Sequence, residues 1–204
     1  MGLYNDRILP RLLNVAMGTK AIGDERMKCV PQAAGVVLEI GFGSGHNLPY
    51  YSDRVERLIA VDPSAVSARL ARNRIARVPF PVEYIPLEGE RIAAPDASVD
   101  SVVSTFTLCT IPDVAAALGQ IRRVLKPGGR FLFLEHGRSA DPGVSGWQDR
   151  LNGLQGFLFG GCNLNRDIGR LVEGSGLVLS SIERYNGQGP RIVATLYRGI
   201  ALRP

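Results

Sequence analysis

The residues best suited to chemistry follow a short apolar run near position 40. The stretch LEIGFGSGHN, residues 38–47, contains Glu39, then Gly41, Gly43 and Gly45, and ends in His46 and Asn47. A glycine-rich turn after a strand lets the backbone approach a ligand closely, and a following helix start offers free N–H groups. A dinucleotide fingerprint, G-x-G-x-x-G, would need a third glycine where His46 stands. The spacing therefore argues against a pyrophosphate cradle.

A second acid, Asp62, ends the next apolar run and precedes Pro63 and Ser64. It stands roughly 20 residues beyond the glycines, where dinucleotide folds bind a ribose diol, and a carboxylate can accept both hydroxyl hydrogen bonds. Glu39 needs a partner if it is buried in a strand, and that partner is either a donating ligand or the N–H groups of the loop. The sequence contains no G-K-S/T motif, so a triphosphate-binding loop is not expected.

Short apolar runs that alternate with helical periodicity predict a doubly wound α/β sheet in a single domain, 1–204. We expect strands over 36–40, 58–61, 82–85, 100–104 and 130–135, helices over 64–78, 113–125 and 167–174, and an antiparallel pair over 177–182 and 191–197. Residues 126–129 (KPGG) predict a turn. An amphipathic helical cover is expected within 1–30, and a Gly-rich, irregular insert on the substrate side over 137–165.

Composition indicates an ordinary soluble domain of 204 residues, with 45% hydrophobic and 21% charged residues and a net charge of +5. No apolar run approaches the roughly 18–20 residues of a membrane span, so we expect a cytoplasmic protein. The three cysteines are far apart and form no C-x-x-C pair, so we predict buried thiols and no metal site. Four arginines (69, 72, 74 and 77) lie in one predicted helix, and we interpret them as a solvated face or a contact for an anionic membrane. No aromatic residues accompany them, so nucleic acid is not an expected partner.

Both histidines lie beside predicted ligand edges. His46 follows the glycines, and His136 ends the strand at 130–135, on the edge where open α/β sheets place their sites. Each is a candidate catalytic residue or a hydrogen-bonded strand end, and Glu135 either orients His136 or is a structural acid. Cys109 has apolar neighbours and is expected to pack or to line the pocket.

The segments LEIGFGSGHN, AVDPS, PLEGERIAAPDASVDSVVS and LKPGGRFLFLEH resemble, in order and spacing, the class I S-adenosylmethionine-dependent methyltransferases over about residues 35–136. That family has a Rossmann-like seven-stranded sheet, mostly parallel with an antiparallel closing strand. The resemblance implies S-adenosyl-L-methionine as cofactor and S-adenosyl-L-homocysteine as product. It implies cofactor contacts from Glu39, Gly41, Gly43, Gly45, Asn47, Asp62, Pro63, Ser64, Glu88, Gly89, Thr105 and Phe106.

A narrower resemblance comes from TFTLCTIPD at 105–113, FLEHG at 133–137, Trp147-Gln148 and GGCNLNRD at 160–167. These segments are similar to the methyltransferase-like 7 thiol S-methyltransferases and their bacterial relatives, some of which are named phosphatidylethanolamine N-methyltransferases. The resemblance implies a small, rather apolar acceptor, with a thiol favoured. A phospholipid head group, a quinone or a phenol is the alternative, and a cofactor-binding scaffold without turnover is the non-enzymatic one. Tyr4, Trp147 and Phe159 are the candidate substrate wall.

Overall fold

The computed structural model describes residues 4, 8–85, 87–88, 91–158 and 160–204. Its strands are β1 Gly35–Ile40, β2 Val55–Val61, β3 Val82–Ile85, β4 Leu87–Glu88, β5 Arg91–Ile92, β6 Val99–Thr105, β7 Leu125–His136, β8 Val178–Asn186 and β9 Thr195–Leu202. Its helices are α1 Leu9–Ala16, α2 Lys20–Cys29, α3 Ala65–Ile75, α4 Val114–Val124, α5 Pro142–Leu158 and α6 Ile168–Gly174.

Seven of these strands form one sheet in the order β3-β2-β1-β6-β7-β9-β8, and β4 and β5 form a separate antiparallel hairpin. Strands β3, β2, β1, β6 and β7 are parallel to one another, and β9 is antiparallel to both β7 and β8. The predicted Rossmann-like sheet with an antiparallel closing strand is therefore confirmed. Strand order reverses between β1 and β6, and at such a point the carboxyl ends of the strands border a ligand crevice.

The central strands are buried on both faces, because β1 and its neighbours are nearly continuous runs of apolar residues. Leu38 and Ile40 pack on the face that carries α4 and α6, whereas Val37 packs on the opposite face with Val30 and Phe42. Two apolar layers thus hold the central strands in place, which fixes where the residues at their ends lie.

The predicted helix starts agree with the structure. The side chain of Ser64 accepts a hydrogen bond from Ser67 N at the start of α3, and Asp113 does the same for Ala116 N at the start of α4. The cover at the N-terminus is two helices, α1 and α2, rather than one. No helix in the described part of the chain has both the length and the apolar character needed to cross a membrane.

The prediction of an irregular segment over 137–165 was wrong, because 17 of its residues form helix α5. The glycines of this segment obscured a helix start at Asp141-Pro142. The Asp141 carboxylate accepts a hydrogen bond from Gly143 N at 2.8 Å, and proline is favoured in the first helical turn.

Several other boundaries differ from the predictions. Strand β2 begins at Val55 rather than residue 58, α3 ends at Ile75 rather than residue 78, and β8 extends to Asn186 rather than residue 182. Residues 126–129 do not form a separate turn, because β7 runs through them as a bulge, with Gly128 at φ +75°. The antiparallel pairing of the C-terminal strands is confirmed. Strand β9, however, begins at Thr195 rather than residue 191, since Val193 N donates to Pro190 O in a turn, and it ends at Leu202 rather than residue 197.

Candidate functional site

The glycine loop after β1 has the backbone conformation that its sequence predicts. Gly41, Gly43 and Gly45 have φ of +68°, +57° and +76°, a region that side chains other than hydrogen disfavour. A Cβ at Gly41 would lie 2.1 Å from Thr107 Oγ1, so this position is closed by the neighbouring loop. A Cβ at Gly43 would meet only a backbone oxygen at 3.8 Å, so space for a ligand is open there.

Asp62, at the carboxyl end of β2, borders this open space. Its Oδ2 accepts a hydrogen bond from Gly43 N, and its Oδ1 accepts one from Ser64 N, both at 2.8 Å. Each carboxylate oxygen has a second lone pair for another donor. Burial raises the pKa of Asp62, and the two backbone donors oppose that shift. The residues present therefore fit a ligand with a pair of hydroxyl groups at this edge of the sheet.

Glu39 and Asn47 are bound to each other beneath the loop. Asn47 Nδ2 donates to Glu39 Oε1 at 2.9 Å, and the Tyr51 hydroxyl donates to Glu39 Oε2 at 2.6 Å. Burial raises the pKa of Glu39 to about 8. The sequence left open two partners for Glu39, a donating ligand or the N–H groups of the loop. In the structure, its partners are instead the side chains of Asn47 and Tyr51, which follow the loop.

Arg26 is a buried cation in this network, and sequence reasoning missed it. Its Nε donates to Asn47 Oδ1 at 2.9 Å, and its Nη1 donates to Met17 O at 2.7 Å. Burial lowers its pKa to about 10, while Glu39 opposes that shift. Helix α2 has little amphipathic periodicity, so no sequence signal marks Arg26 as a residue that faces inward.

His46 connects the glycine loop to α1. Its Nε2 lies 2.9 Å from the carbonyl oxygen of Asn14. Burial, together with the nearby cations Arg74 and Arg26, lowers the pKa of His46 to about 4. An imidazole of that pKa is neutral and weakly basic at pH 7, which suits a positioning role better than that of a general base. The same side chain lines a cavity of about 390 Å³ between α1, α2 and the loop.

The end of β6 brings Thr105 and Phe106 to the same edge. Thr105 Oγ1 accepts a hydrogen bond from Asn47 Nδ2 at 3.0 Å, so it belongs to the network beneath the loop. Phe106 has φ +56°, which a bulky residue adopts only when its surroundings impose it. Such outliers concentrate at functional sites. The Phe106 ring lies 5.0 Å from the His136 ring, and the Arg26 guanidinium carbon lies 5.6 Å from the centre of the same phenyl ring.

Glu135 is a structural acid and does not orient His136. It is fully buried, and its carboxylate accepts hydrogen bonds from Ser104 Oγ at 2.7 Å and Thr107 N at 2.8 Å. Burial raises its pKa to about 7. The contacts of Glu135 therefore hold the loop after β6, and they leave His136 to other partners.

His136 lies instead beside two cysteines that are 53 residues apart in sequence. The Sγ atoms of Cys109 and Cys162 are 3.6 Å apart, and both residues are buried. Hydrogen bonding from Cys109 lowers the pKa of the Cys162 thiol, and His136 adds to that effect. The prediction that the cysteines are buried is confirmed, but the sequence spacing gave no indication that two of them meet.

The remaining site candidates are distributed as follows. Trp147 is 55% exposed on α5, with the Arg150 guanidinium carbon 5.3 Å from its ring centre, and Tyr4 is also exposed. Pro63 is exposed directly after Asp62. Glu88 contributes backbone to β4, whereas its side chain, Gly89 and Phe159 lie outside the described residues.

Comparison with known proteins gives a consistent assignment. Residues 38–133 match the family model of a methyltransferase domain. The human (Homo sapiens) thiol S-methyltransferase TMT1A is 32% identical over 144 residues, which cover 67% of this chain and 57% of the relative. The phosphatidylethanolamine N-methyltransferase of Cereibacter sphaeroides is 30% identical over 104 residues, or 50% of this chain and 51% of the relative. This chain therefore spans little more than half the length of either relative.

Solved structures show the same fold. A methyltransferase solved in complex with the Trm112 methyltransferase activator of Haloferax volcanii superposes with a TM-score of 0.73 at 16% identity, over 98% of this chain and 96% of its own. An alignment that covers both chains almost completely includes the N-terminal helices and the closing hairpin as well as the central strands.

Proposed function

Because the chain belongs to the class I S-adenosylmethionine-dependent methyltransferases, we propose that it transfers a methyl group to a small, rather apolar acceptor, with a thiol favoured. The observation that carries the cofactor assignment is the pair formed by Asp62 and the open position at Gly43. Asp62 would accept hydrogen bonds from the ribose hydroxyls, and the absent side chain at Gly43 leaves room for the ligand beside it.

When bound, S-adenosylmethionine supplies a methyl group that its sulfonium has already activated. The task of the protein is then to align the acceptor and to exclude water. Thr105 and Phe106, at the end of the neighbouring strand β6, would border both ligands. The constrained backbone of Phe106 suits this positioning, because it fixes the direction of an apolar side chain at the edge of the sheet.

A thiol is favoured because it depends least on a general base, and several acids and bases of the site are engaged or weak. Glu39 and Glu135 are buried and hydrogen-bonded, and His46 is a weak base with a pKa of about 4. A thiol with a pKa near 8.5 is a few per cent ionised at neutral pH without assistance, whereas an amine or a phenol must lose a more tightly held proton. The relatedness to human TMT1A, named a thiol S-methyltransferase, supports the same acceptor.

The test is a methyl-transfer screen on the purified chain with small apolar thiols, hydrophilic thiols, amines, phenols and phospholipid vesicles, with S-adenosylhomocysteine as the readout. We expect product with apolar thiols first. Product with amines or phenols alone would refute the thiol assignment. Binding of the cofactor in calorimetry without turnover on any acceptor would favour a scaffold, and absence of binding would refute the cofactor assignment.

A lipid or quinone acceptor is the second candidate, and an exposed apolar surface favours it. Helix α5 exposes Leu154 and Phe157, the latter to 80%, and α1 exposes Val15 to 74%. The end of α5 approaches the start of α1, since a Cβ at Gly160, just after α5, would lie 2.8 Å from the Leu9 side chain.

Helix α3, which contacts α1, carries exposed Arg69 and Arg72, and Arg77 is exposed just after its end. An apolar surface rimmed by cations is what an interfacial helix presents to an anionic bilayer. The relative named as a phosphatidylethanolamine N-methyltransferase supports this alternative.

Co-sedimentation with anionic vesicles separates the two candidates. On the lipid alternative, the wild-type chain should pellet with the vesicles, and the double variant L154E/F157E should not. Val178→Glu is the matched control, because Val178 is an exposed apolar residue on β8, at the far edge of the sheet. No association of the wild type, or equal association of all three proteins, would count against a membrane-bound acceptor.

A further inference from the structure

Three residues that bind soft metals converge beside the proposed site. Within the described residues, Cys109 Sγ, a ring nitrogen of His136 and Cys162 Sγ all lie within 4.8 Å of one another. They come from three places in the chain: the loop after β6, the end of β7 and the loop after α5. The two cysteines are buried, whereas His136 is partly exposed. We refer to these three residues as the triangle, in which His136 is the residue that solvent reaches.

The spacing of the sulfurs matches that of two ligands on one ion. Zinc binds thiolate at about 2.3 Å in tetrahedral geometry, which separates two sulfurs by about 3.8 Å. The observed separation of Cys109 Sγ and Cys162 Sγ is 3.6 Å. A disulfide would require the same atoms at about 2.0 Å. A shared ion needs only a small adjustment of either side chain.

The loops that carry the cysteines are held together without any ion. Asn163 donates to the carbonyl oxygen of Cys109 twice, from its backbone N at 2.8 Å and from its side chain at 3.1 Å. Arg166 donates to the carbonyl oxygens of Leu108 and Ile111. These contacts clamp residues 160–167 onto residues 105–113, so the two sulfurs are positioned in advance, as a metal site requires.

We propose that Cys109, His136 and Cys162 bind a single Zn²⁺ ion and leave its fourth coordination position open. Two thiolates and a neutral imidazole balance the charge of the ion and form one of the ligand sets that zinc prefers. Three protein ligands with one open position characterise catalytic zinc sites, whereas structural sites are closed by four. The His136 ring lies 5.0 Å from the Phe106 ring, so the three residues adjoin the proposed cofactor edge.

A zinc ion at this position would define how an acceptor thiol is activated, a consequence that rests on the proposed function. A thiol that enters the open position loses its proton to solvent and binds as thiolate, because a metal ion stabilises the anionic sulfur. That sulfur then forms a bond to the methyl carbon. The bond between this carbon and the sulfonium sulfur breaks, and its electron pair stays on the departing sulfur.

The test measures metal content and coordination directly. The chain is purified with thiols reduced, incubated with Zn²⁺, separated from free ion and analysed for zinc by mass spectrometry, and a parallel sample is loaded with Co²⁺. We expect one equivalent of zinc, and thiolate-to-cobalt charge-transfer absorption with the strong d–d bands of a four-coordinate ion. Cys109→Ser and Cys162→Ser should each lose most of the retained metal.

Cys29→Ser is the matched control, since Cys29 is a buried thiol outside the triangle, whose Sγ donates to Phe133 O. It should retain zinc as the wild type does. The proposal is overturned if the wild type retains no zinc and gives no charge-transfer band, a result that does not depend on how the variants fold. Equal loss in the control, or a Cys109–Cys162 disulfide formed on mild oxidation of a chain that never retains zinc, also overturns it.

Activity assays separate this proposal from the proposed function. Full thiol methylation by zinc-free protein that still binds zinc on addition would refute thiol activation by the ion and leave the methyltransferase assignment intact. Stoichiometric zinc without methyl transfer to any thiol would refute the thiol assignment and leave the metal site.

Discussion

Replacement of Asp62 by asparagine should weaken the binding of S-adenosylhomocysteine and leave the fold in place. Asparagine offers a single carbonyl oxygen, so it cannot accept from Gly43 N and Ser64 N while it also accepts from two ribose hydroxyls. A hydrogen bond to a charged acceptor contributes about 1.5–3 kcal/mol. Loss of one such bond predicts a dissociation constant raised roughly 10- to 150-fold.

Asp100→Asn is the control for this experiment. Asp100 also accepts a hydrogen bond from a backbone N–H, that of Val36 at 2.8 Å, and from Lys126 Nζ at 2.7 Å. It lies at the start of β6, on the amino edge of the sheet, and therefore far from the proposed ligand. Isothermal titration calorimetry should give wild-type affinity for this variant. If Asp62→Asn, verified as folded by circular dichroism, bound the ligand as tightly as Asp100→Asn, the placement of the ribose at Asp62 would be refuted.

Three further predictions concern the loop and its support. Tyr51→Phe removes a donor to buried Glu39, so the free energy of unfolding in denaturant titrations should fall by about 1–3 kcal/mol; an unchanged midpoint would contradict this. Gly41→Ala should destabilise the fold, because the new methyl group would lie 2.1 Å from the Thr107 hydroxyl oxygen. Gly119→Ala lies inside α4 with no neighbour among the described residues within 4 Å of the new methyl group, so it should stabilise the fold by about 0.5–1 kcal/mol. The opposite order of melting temperatures would count against the loop geometry. The folded-state pKa of His46, about 4, is below its usual value near 6.5. The unfolded chain therefore binds more protons over this interval, so the His46 contribution is complete above pH 6.5 and is lost as pH falls toward 4. The difference in stability between the wild type and His46→Gln should shrink over this window, and a constant difference would show that His46 does not titrate in this way.

The central strands and the edge they form could be predicted because their signals are local. Strand β3 has the predicted bounds, and the caps at Ser64 and Asp113 mark helix starts that depend on neighbouring residues alone. The position of Asp62 beside the glycines follows in turn from the parallel pairing of β1 and β2. Periodicity and capping thus determine where the ends of the strands meet.

The partners within the site could not be predicted, since they depend on contacts between distant segments. Arg26 faces inward because α2 packs across the sheet, and nothing in its own helix indicates this. Cys109 and Cys162 meet because Asn163 and Arg166 clamp two loops together. For α5 the local signal itself was misleading. Its glycines suggested a loop, although a proline at residue 142 begins a helix.

The attachment of α1 has a kinetic consequence. Leu9 is the one buried residue of this helix, and the carbonyl oxygen of Asn14 lies in hydrogen-bond contact with His46 at the glycine loop. Lifting α1 therefore costs little apolar burial, whereas separating β1 from its neighbours would disrupt both cores. We therefore expect α1 to open locally at a lower free energy than the central strands. In many enzymes such an opening step, rather than the chemistry, limits turnover.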